Sequence, residues 1–190
     1  MSPFNARSRF EQVVGYVLFS CAVSYTAWIV AVHFGLRFNV EPSMPMGAYW
    51  RVTGSIDRGT TVAACLPPSL ARYALQRRIL AEGPCPSGVM PVVKAVAAVA
   101  GDVVDVSDSG VRVNGQPWPY SAIRRVSCFG TRIDMRLPSG RYVIAPDSVF
   151  LMGVNPCSWD SRYWGSLSRT TVARWNPIIT LPLQEKRKST

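Results

Sequence analysis

The sequence predicts a mainly antiparallel β domain carried behind one N-terminal membrane-spanning helix. Three observations lead there. Val13 to Leu36 runs 24 residues without a formally charged side chain, long enough as a helix at about 1.5 Å per residue to cross a bilayer core of about 30 Å. Beyond it, short apolar and alternating runs recur between Gly, Asp, Asn and Pro residues, the pattern of strands joined by tight turns. A length of 190 residues provides for this anchor and one globular core, without a second full domain.

The apolar run reads as a retained anchor, because it is too long for a cleavable leader and no small-x-small site follows it. Arg7 and Arg9 precede it and Arg37 follows, a bias that places residues 1–12 in the cytoplasm, 13–36 in the membrane and 37–183 outside, in the periplasm of a cell that has one. Residues 184–190 form a polar, basic tail expected to be loose. Cys21 falls within the anchor, which leaves Cys65, Cys85, Cys128 and Cys157 in a compartment that permits disulfides. Cys65 with Cys85 is the favoured pair, since they bracket a segment that reads as an insertion; four buried free thiols are the alternative. The formal charge of +10 is scattered over Arg77-Arg78, Arg124-Arg125 and the tail rather than gathered into an aromatic-lined stripe, so no nucleic-acid partner is expected. Anionic lipid headgroups or simple solvation account for it.

Taken in order, Tyr49 to Val52 alternates as a strand, and Gly54, Asp57 and Gly59 mark turns before a second strand over Thr60 to Leu66. Pro67-Pro68 breaks the β pattern, and Leu70 to Ala81 reads as a short amphipathic helix with Leu70, Tyr73, Ala74 and Leu75 on one side. Met90 to Ala100 is a buried strand interrupted by one charge, Lys94. Val103 to Val106 and Val111 to Val113 form a hairpin, and Asn114-Gly115 supplies the next tight turn. Arg132 to Leu137 and Arg141 to Ala145 are expected to pair as a further hairpin around Pro138-Ser139-Gly140. Val149 to Met152 is a short buried strand, Gly153 to Gly165 an irregular loop, and Val172 to Leu183 a last strand, too short to span a membrane.

Elimination narrows the chemistry. The only histidine, His33, lies in the anchor, so the body has neither a histidine-based triad nor a common histidine-bearing zinc site, and no metal or other cofactor is expected. Ser43 sits between Pro42 and Pro45, with Gly47 beyond, in a turn that can present a hydroxyl near a membrane surface. Lys94 shares a strand face with Val92 and Val96, neighbours whose desolvation lowers an ammonium pKa toward that of a usable base. A lysine that snorkels to water or guards a sheet edge fits the same residue. Ser158, Asp160 and Arg162 alternate, so in an extended segment they point the same way, Asp160 pairing with Arg162 to fix the loop and Ser158 left to orient an amine.

Together these stretches resemble the type I signal peptidase superfamily of serine proteases. Ser43-Met44-Pro45 is similar to its nucleophile box, Lys94 through Gly101-Asp102 to its lysine box, Val113-Asn114-Gly115 to the hairpin that follows, and Ser158 through Gly165 to its last box. Pro45 directly after Met44, with Gly47 two residues later, is similar to the TraF-type peptidases of conjugative transfer. The resemblance implies a signal-peptidase-like β fold in the bacterial inner membrane, with Ser43 as nucleophile, Lys94 as general base and Asp160 as a third essential residue. It further implies a membrane-inserted, propilin-like precursor as substrate, matured by cleavage or cyclisation, with type IV secretion or conjugation machinery as partner. A serine that donates to the oxyanion in many signal peptidases is replaced here by Glu41, which can only accept when ionised. Two rival readings fit the same residues: a housekeeping signal peptidase, and a catalytically inert membrane scaffold. Pro67 to Pro86 lies outside the resemblance and is expected to cover the site as a lid.

Overall fold

The computed structural model describes residues 3–128, 130–134 and 137–181; the basic tail expected over 184–190 lies outside them. The chain divides into two units, Met1–Arg37 and Phe38–Thr190. The first is built on helix α1 (Pro3–Phe34). Its segment Arg9–Phe34 is long and apolar enough to cross a membrane and has none of its apolar window buried in protein. Side chains such as Val17, Leu18 and Phe19 are exposed, which suits lipid and not water. The helix ends at Phe34 and not at Leu36, because Gly35 adopts φ 128° and the Arg37 guanidinium donates to the Val32 and Leu36 carbonyls.

The second unit is mainly antiparallel β. Its strands are β1 (Leu36–Asn39, which begins in the first unit), β2 (Gly47–Val52), β3 (Thr61–Ala64), β4 (Val92–Val99), β5 (Val103–Ser107), β6 (Gly110–Val113), β7 (Gln116–Pro117), β8 (Gly140–Val143), β9 (Ser148–Met152), β10 (Leu167–Ser168) and β11 (Val172–Thr180). Seven of them form one sheet in the order β1-β2-β11-β3-β4-β9-β10, and four a second in the order β7-β6-β5-β8. The alternation that marks β5 and β6 in the sequence becomes an antiparallel pair, Val104 opposite Val113 and Val106 opposite Val111, whose inward valines close one core cluster. Asn114 and Gly115 both take positive φ, as a two-residue hairpin turn requires.

β4 is the strand around which the unit is packed. It lies between β3 and β9, and seven of its eight residues are buried. A bulge between Val96 and Ala98 shifts its register. Val92 and Val96 before it face one apolar cluster, whereas Ala97 and Ala98 face the cluster of β5 and β6.

Three sequence expectations are corrected here. Arg141 to Ala145 does not pair with Arg132 to Leu137: β8 pairs with β5, Arg141 opposite Asp105, because that register buries Ile144 and joins the two side chains in an ion pair. Residues 135 and 136 of the expected hairpin lie outside the described ones. The helix after Pro67 is α2 (Pro68–Gln76), shorter than expected at its C-terminal end. Pro68 suits its first turn, where no N–H is needed, and Arg78 at φ 53° ends it without any glycine to mark the place. Finally, the loop over Gly153 to Gly165 contains a one-turn helix, α3 (Ser161–Trp164).

Candidate active site

The site begins with a turn. Between β1 and β2 the chain carries Glu41 to Met46, two prolines of which remove N–H donors and restrict the backbone. A buried side chain shapes it: Asn39 donates through Nδ2 to the carbonyls of Glu41 (3.0 Å), Met44 (3.3 Å) and Pro45 (3.0 Å), and its Oδ1 accepts from the Glu41 N–H (3.1 Å). Asn39 thus serves as the missing hydrogen-bond partner for a turn that cannot satisfy itself. Tyr49 Oη donates to the Pro45 carbonyl at 2.5 Å, and the Val154 N–H to the Ser43 carbonyl at 2.9 Å. Ser43, at 6% exposure, is held on both sides. Its own N–H makes no hydrogen bond among the described residues.

Lys94 reaches it from β4. The Lys94 Nζ lies 2.6 Å from the Ser43 Oγ, and the lysine side chain is 3% exposed. Because β4 is interior to the sheet, Lys94 neither snorkels to water nor guards an edge. Burial strips water from the ammonium and lowers its pKa from 10.5 to about 8; the Asp160 and Glu41 carboxylates oppose that fall and the Arg162 guanidinium assists it.

Asp160 and Arg162 are wholly buried and joined twice, from Arg162 Nε to Asp160 Oδ1 and from Nη2 to Oδ2, both at 2.8 Å. They do not meet by alternating along an extended strand, as the sequence suggested. Asp160 is the extended N-cap of α3, accepting from the Arg162 N–H at 3.2 Å, and Arg162 lies inside the helical turn. Asp160 Oδ2 also accepts from the Gly153 N–H, and Arg162 Nη1 donates to the Tyr120 and Ala122 carbonyls. The pair therefore ties three backbone segments together beside Lys94.

Ser158 lines the same cleft and is buried, yet its Oγ has no hydrogen-bond partner among the described residues and does not hold the lysine amine. Its side chain fills the space over Gly153, where an added Cβ would collide with it. The Gly101-Asp102 end of the lysine stretch is structural: Asp102 accepts from the Val99 N–H and the Asn114 amide and pairs with Arg58. Though burial opposes it, these contacts hold its carboxyl below the ordinary range. The lysine stretch and the Asn114-Gly115 hairpin are thereby parts of one contact.

The four body cysteines form two disulfides, Cys65 with Cys85 and Cys128 with Cys157. Sequence reasoning missed Asn39, which belongs to no motif and whose only signal is a polar residue two positions before Glu41. It also missed Trp118, whose Nε1 donates to the Gly153 carbonyl and secures the floor of the site. No group of three or more metal-ligating side chains is found among the described residues.

Residues 10–175 match the family described as signal peptidase, peptidase S26. The chain is 33% identical over 179 residues to the plasmid transfer protein TraF of Escherichia coli, covering 91% of this chain and 99% of that protein. It is 39% identical over 138 residues to a probable conjugal transfer protein TraF of Sinorhizobium fredii, covering 70% of each. A third relative, the conjugal transfer protein TraF of Agrobacterium tumefaciens, is 35% identical over 140 residues, 71% of this chain and 76% of its own.

Proposed function

This chain belongs to the signal peptidase family, peptidase S26, and within that family we propose that it is a membrane-anchored serine endopeptidase of the Ser/Lys type that matures a precursor protein in conjugative transfer. One observation carries the chemistry: a buried lysine amine 2.6 Å from a buried serine hydroxyl, its pKa lowered to about 8. Neutral Lys94 takes the proton from the Ser43 Oγ as that oxygen attacks the scissile carbonyl, then gives it to the leaving amine. The acyl-enzyme on Ser43 is resolved by water, or by the substrate's own N-terminal amine, which closes a ring. The Ser43 N–H, without a partner among the described residues, supplies one donor to the oxyanion; Pro42 supplies none. Asp160 with Arg162 fixes the loop behind Lys94, and this pair acts through position and field while Lys94 alone carries the proton.

The names of the relatives, plasmid and conjugal transfer proteins, support a dedicated substrate such as a propilin over the general run of secreted precursors. The apolar segment Arg9–Phe34 anchors the protein in the bacterial inner membrane, and the flanking arginines put residues 37–183 on the periplasmic side, next to the transfer machinery.

Co-expression in membranes with a candidate pilin precursor tests the reading, comparing wild type, Ser43→Ala and Lys94→Ala by intact mass of the product. Processing by the wild type that both substitutions abolish is the expected result, and a product lighter by one further water marks cyclisation. Processing that survives both changes ends the catalytic reading and leaves a scaffold.

A further inference from the structure

Two excursions from the β framework, neither of them needed to hold Ser43 against Lys94, meet over the cleft. The first runs from Cys65 to Cys85, closed at its base by their disulfide. Its helix α2 buries Leu70, Tyr73 and Ala74 in the main core, and the chain after the helix puts Ile79 and Leu80 on the cleft wall. This segment is a packed wall and not a loose lid. The second runs from Tyr120 to Asp134. Arg162 holds its start through the Tyr120 and Ala122 carbonyls, and Tyr163 Oη accepts from the Arg124 N–H. It then doubles back on itself, Val126 bridging Arg132 and the Ser127 N–H donating to the Thr131 carbonyl. Ser127, Thr131 and Ile133 line the same cleft.

The two excursions are fastened together at one place. Asp134 accepts from Arg77 Nη2 at 2.7 Å, its N–H donates to Tyr73 Oη at 2.9 Å, and Arg77 Nη1 reaches the Arg132 carbonyl. The far end of the second excursion has a different fastening, the Cys128–Cys157 disulfide, which ties it to the loop of Ser158 and Asp160. Trp159 in that loop stacks on Tyr73 at 6.0 Å, so the cleft floor and the first excursion also touch. Among the described residues of the doubled-back part, Ile133 is the one that joins the apolar clusters, and the hydrogen bonds given for them are largely internal. Without a covalent tie, such a segment opens at low cost.

We infer that the Cys128–Cys157 disulfide is a specificity-determining strut: it holds the wall of Ser127, Thr131 and Ile133 at the cleft and so sets which peptide binds, without setting the reactivity of Ser43. The inference rests on the peptidase reading above and goes beyond it in naming what selects the substrate. The dyad is held by other means, Ser43 by Asn39 and Val154, Lys94 by the interior of the sheet. Peptide affinity and serine reactivity are therefore separable.

The test uses the full-length protein in detergent, with two probes: a fluorophosphonate that reacts with an activated serine, and a synthetic peptide spanning the processing site of the candidate pilin precursor. In the double variant Cys128→Ser, Cys157→Ser, KM for the peptide is expected to rise at least about tenfold while kcat and the fluorophosphonate labelling rate stay within about threefold. Asp134→Asn, which weakens the other fastening and touches no cysteine, is expected to raise KM in the same direction by a smaller factor, and it keeps the test decisive if the double variant fails to fold. Unchanged KM in both variants would overturn the inference. So would a loss of labelling in step with turnover, which would make the disulfide a support of Ser43 itself. A wild-type protein that labels with neither speed nor specificity would instead overturn the underlying peptidase reading.

Discussion

If neutral Lys94 is the base, activity must follow its titration. With a pKa of about 8, roughly a tenth of the enzyme carries a neutral amine at pH 7 and half at pH 8, so kcat/KM should rise about fivefold between them and level off above pH 9. Glu41 supplies the sharper form of this test. Its exposed carboxylate lines the cleft and raises the lysine pKa, so Glu41→Gln removes an attraction for the ammonium and moves the acid limb to lower pH. The rate at pH 7 should increase, by no more than about tenfold, the ceiling reached when every amine is neutral. Because Glu41 acts across solvent, the shift should shrink in high salt. The assay is the initial rate of peptide cleavage from pH 6 to 9.5 at two ionic strengths, on wild type and Glu41→Gln. A limb that moves upward in the variant, or a wild-type rate that is flat across this range, would refute the assignment of Lys94 as base.

Other consequences concern stability as well as rate. The folded pKa of Lys94 lies below its unfolded value of 10.5, so the unfolded chain binds the extra proton. The cost to folding is fully present below pH 8 and vanishes as pH rises toward 10.5. Lys94→Met should abolish cleavage yet stabilise the protein at pH 7 by up to about 3 kcal/mol, and the gain should fade by pH 10, as read from denaturant midpoints. Asp160→Asn leaves the Arg162 guanidinium buried without its counter-charge. A loss of about 3–5 kcal/mol is expected, largely recovered in the double variant Asp160→Leu, Arg162→Met, which would remain inactive if the pair also positions Lys94. Asn39→Ala strands the carbonyls of Glu41 and Pro45. It should cost about 1–3 kcal/mol in thermal unfolding and lower kcat more than it raises KM, since the nucleophile is displaced while the cleft walls stand.

Much of this was legible in the chain, for physical reasons. A long uncharged run announces a helix for lipid, and period-two alternation with Asn-Gly and Gly-Asp turns announces strands, because both signals are local. Ser43 and Lys94 stood out through their own neighbours, a serine between prolines and one charge in an apolar strand. Asp160 and Arg162 are partners, as their spacing suggests, but through a helix cap and not a strand, since spacing by two serves both.

What the sequence by itself determined, then, is a helix long and apolar enough to cross a membrane, the β character of the body and the residue types available for chemistry. Tertiary structure alone decided the rest. Ser43 and Lys94 are 51 residues apart and become a 2.6 Å contact only because β4 is threaded between β3 and β9. The pairing of β8 with β5, the end of α2 just before Arg78, the clamp of Asn39 on the Ser43 turn and the meeting of two disulfide-tied walls at Asp134 leave no local trace. Each is chosen by which buried polar groups find partners and which apolar faces close on one another, and that choice belongs to the whole chain.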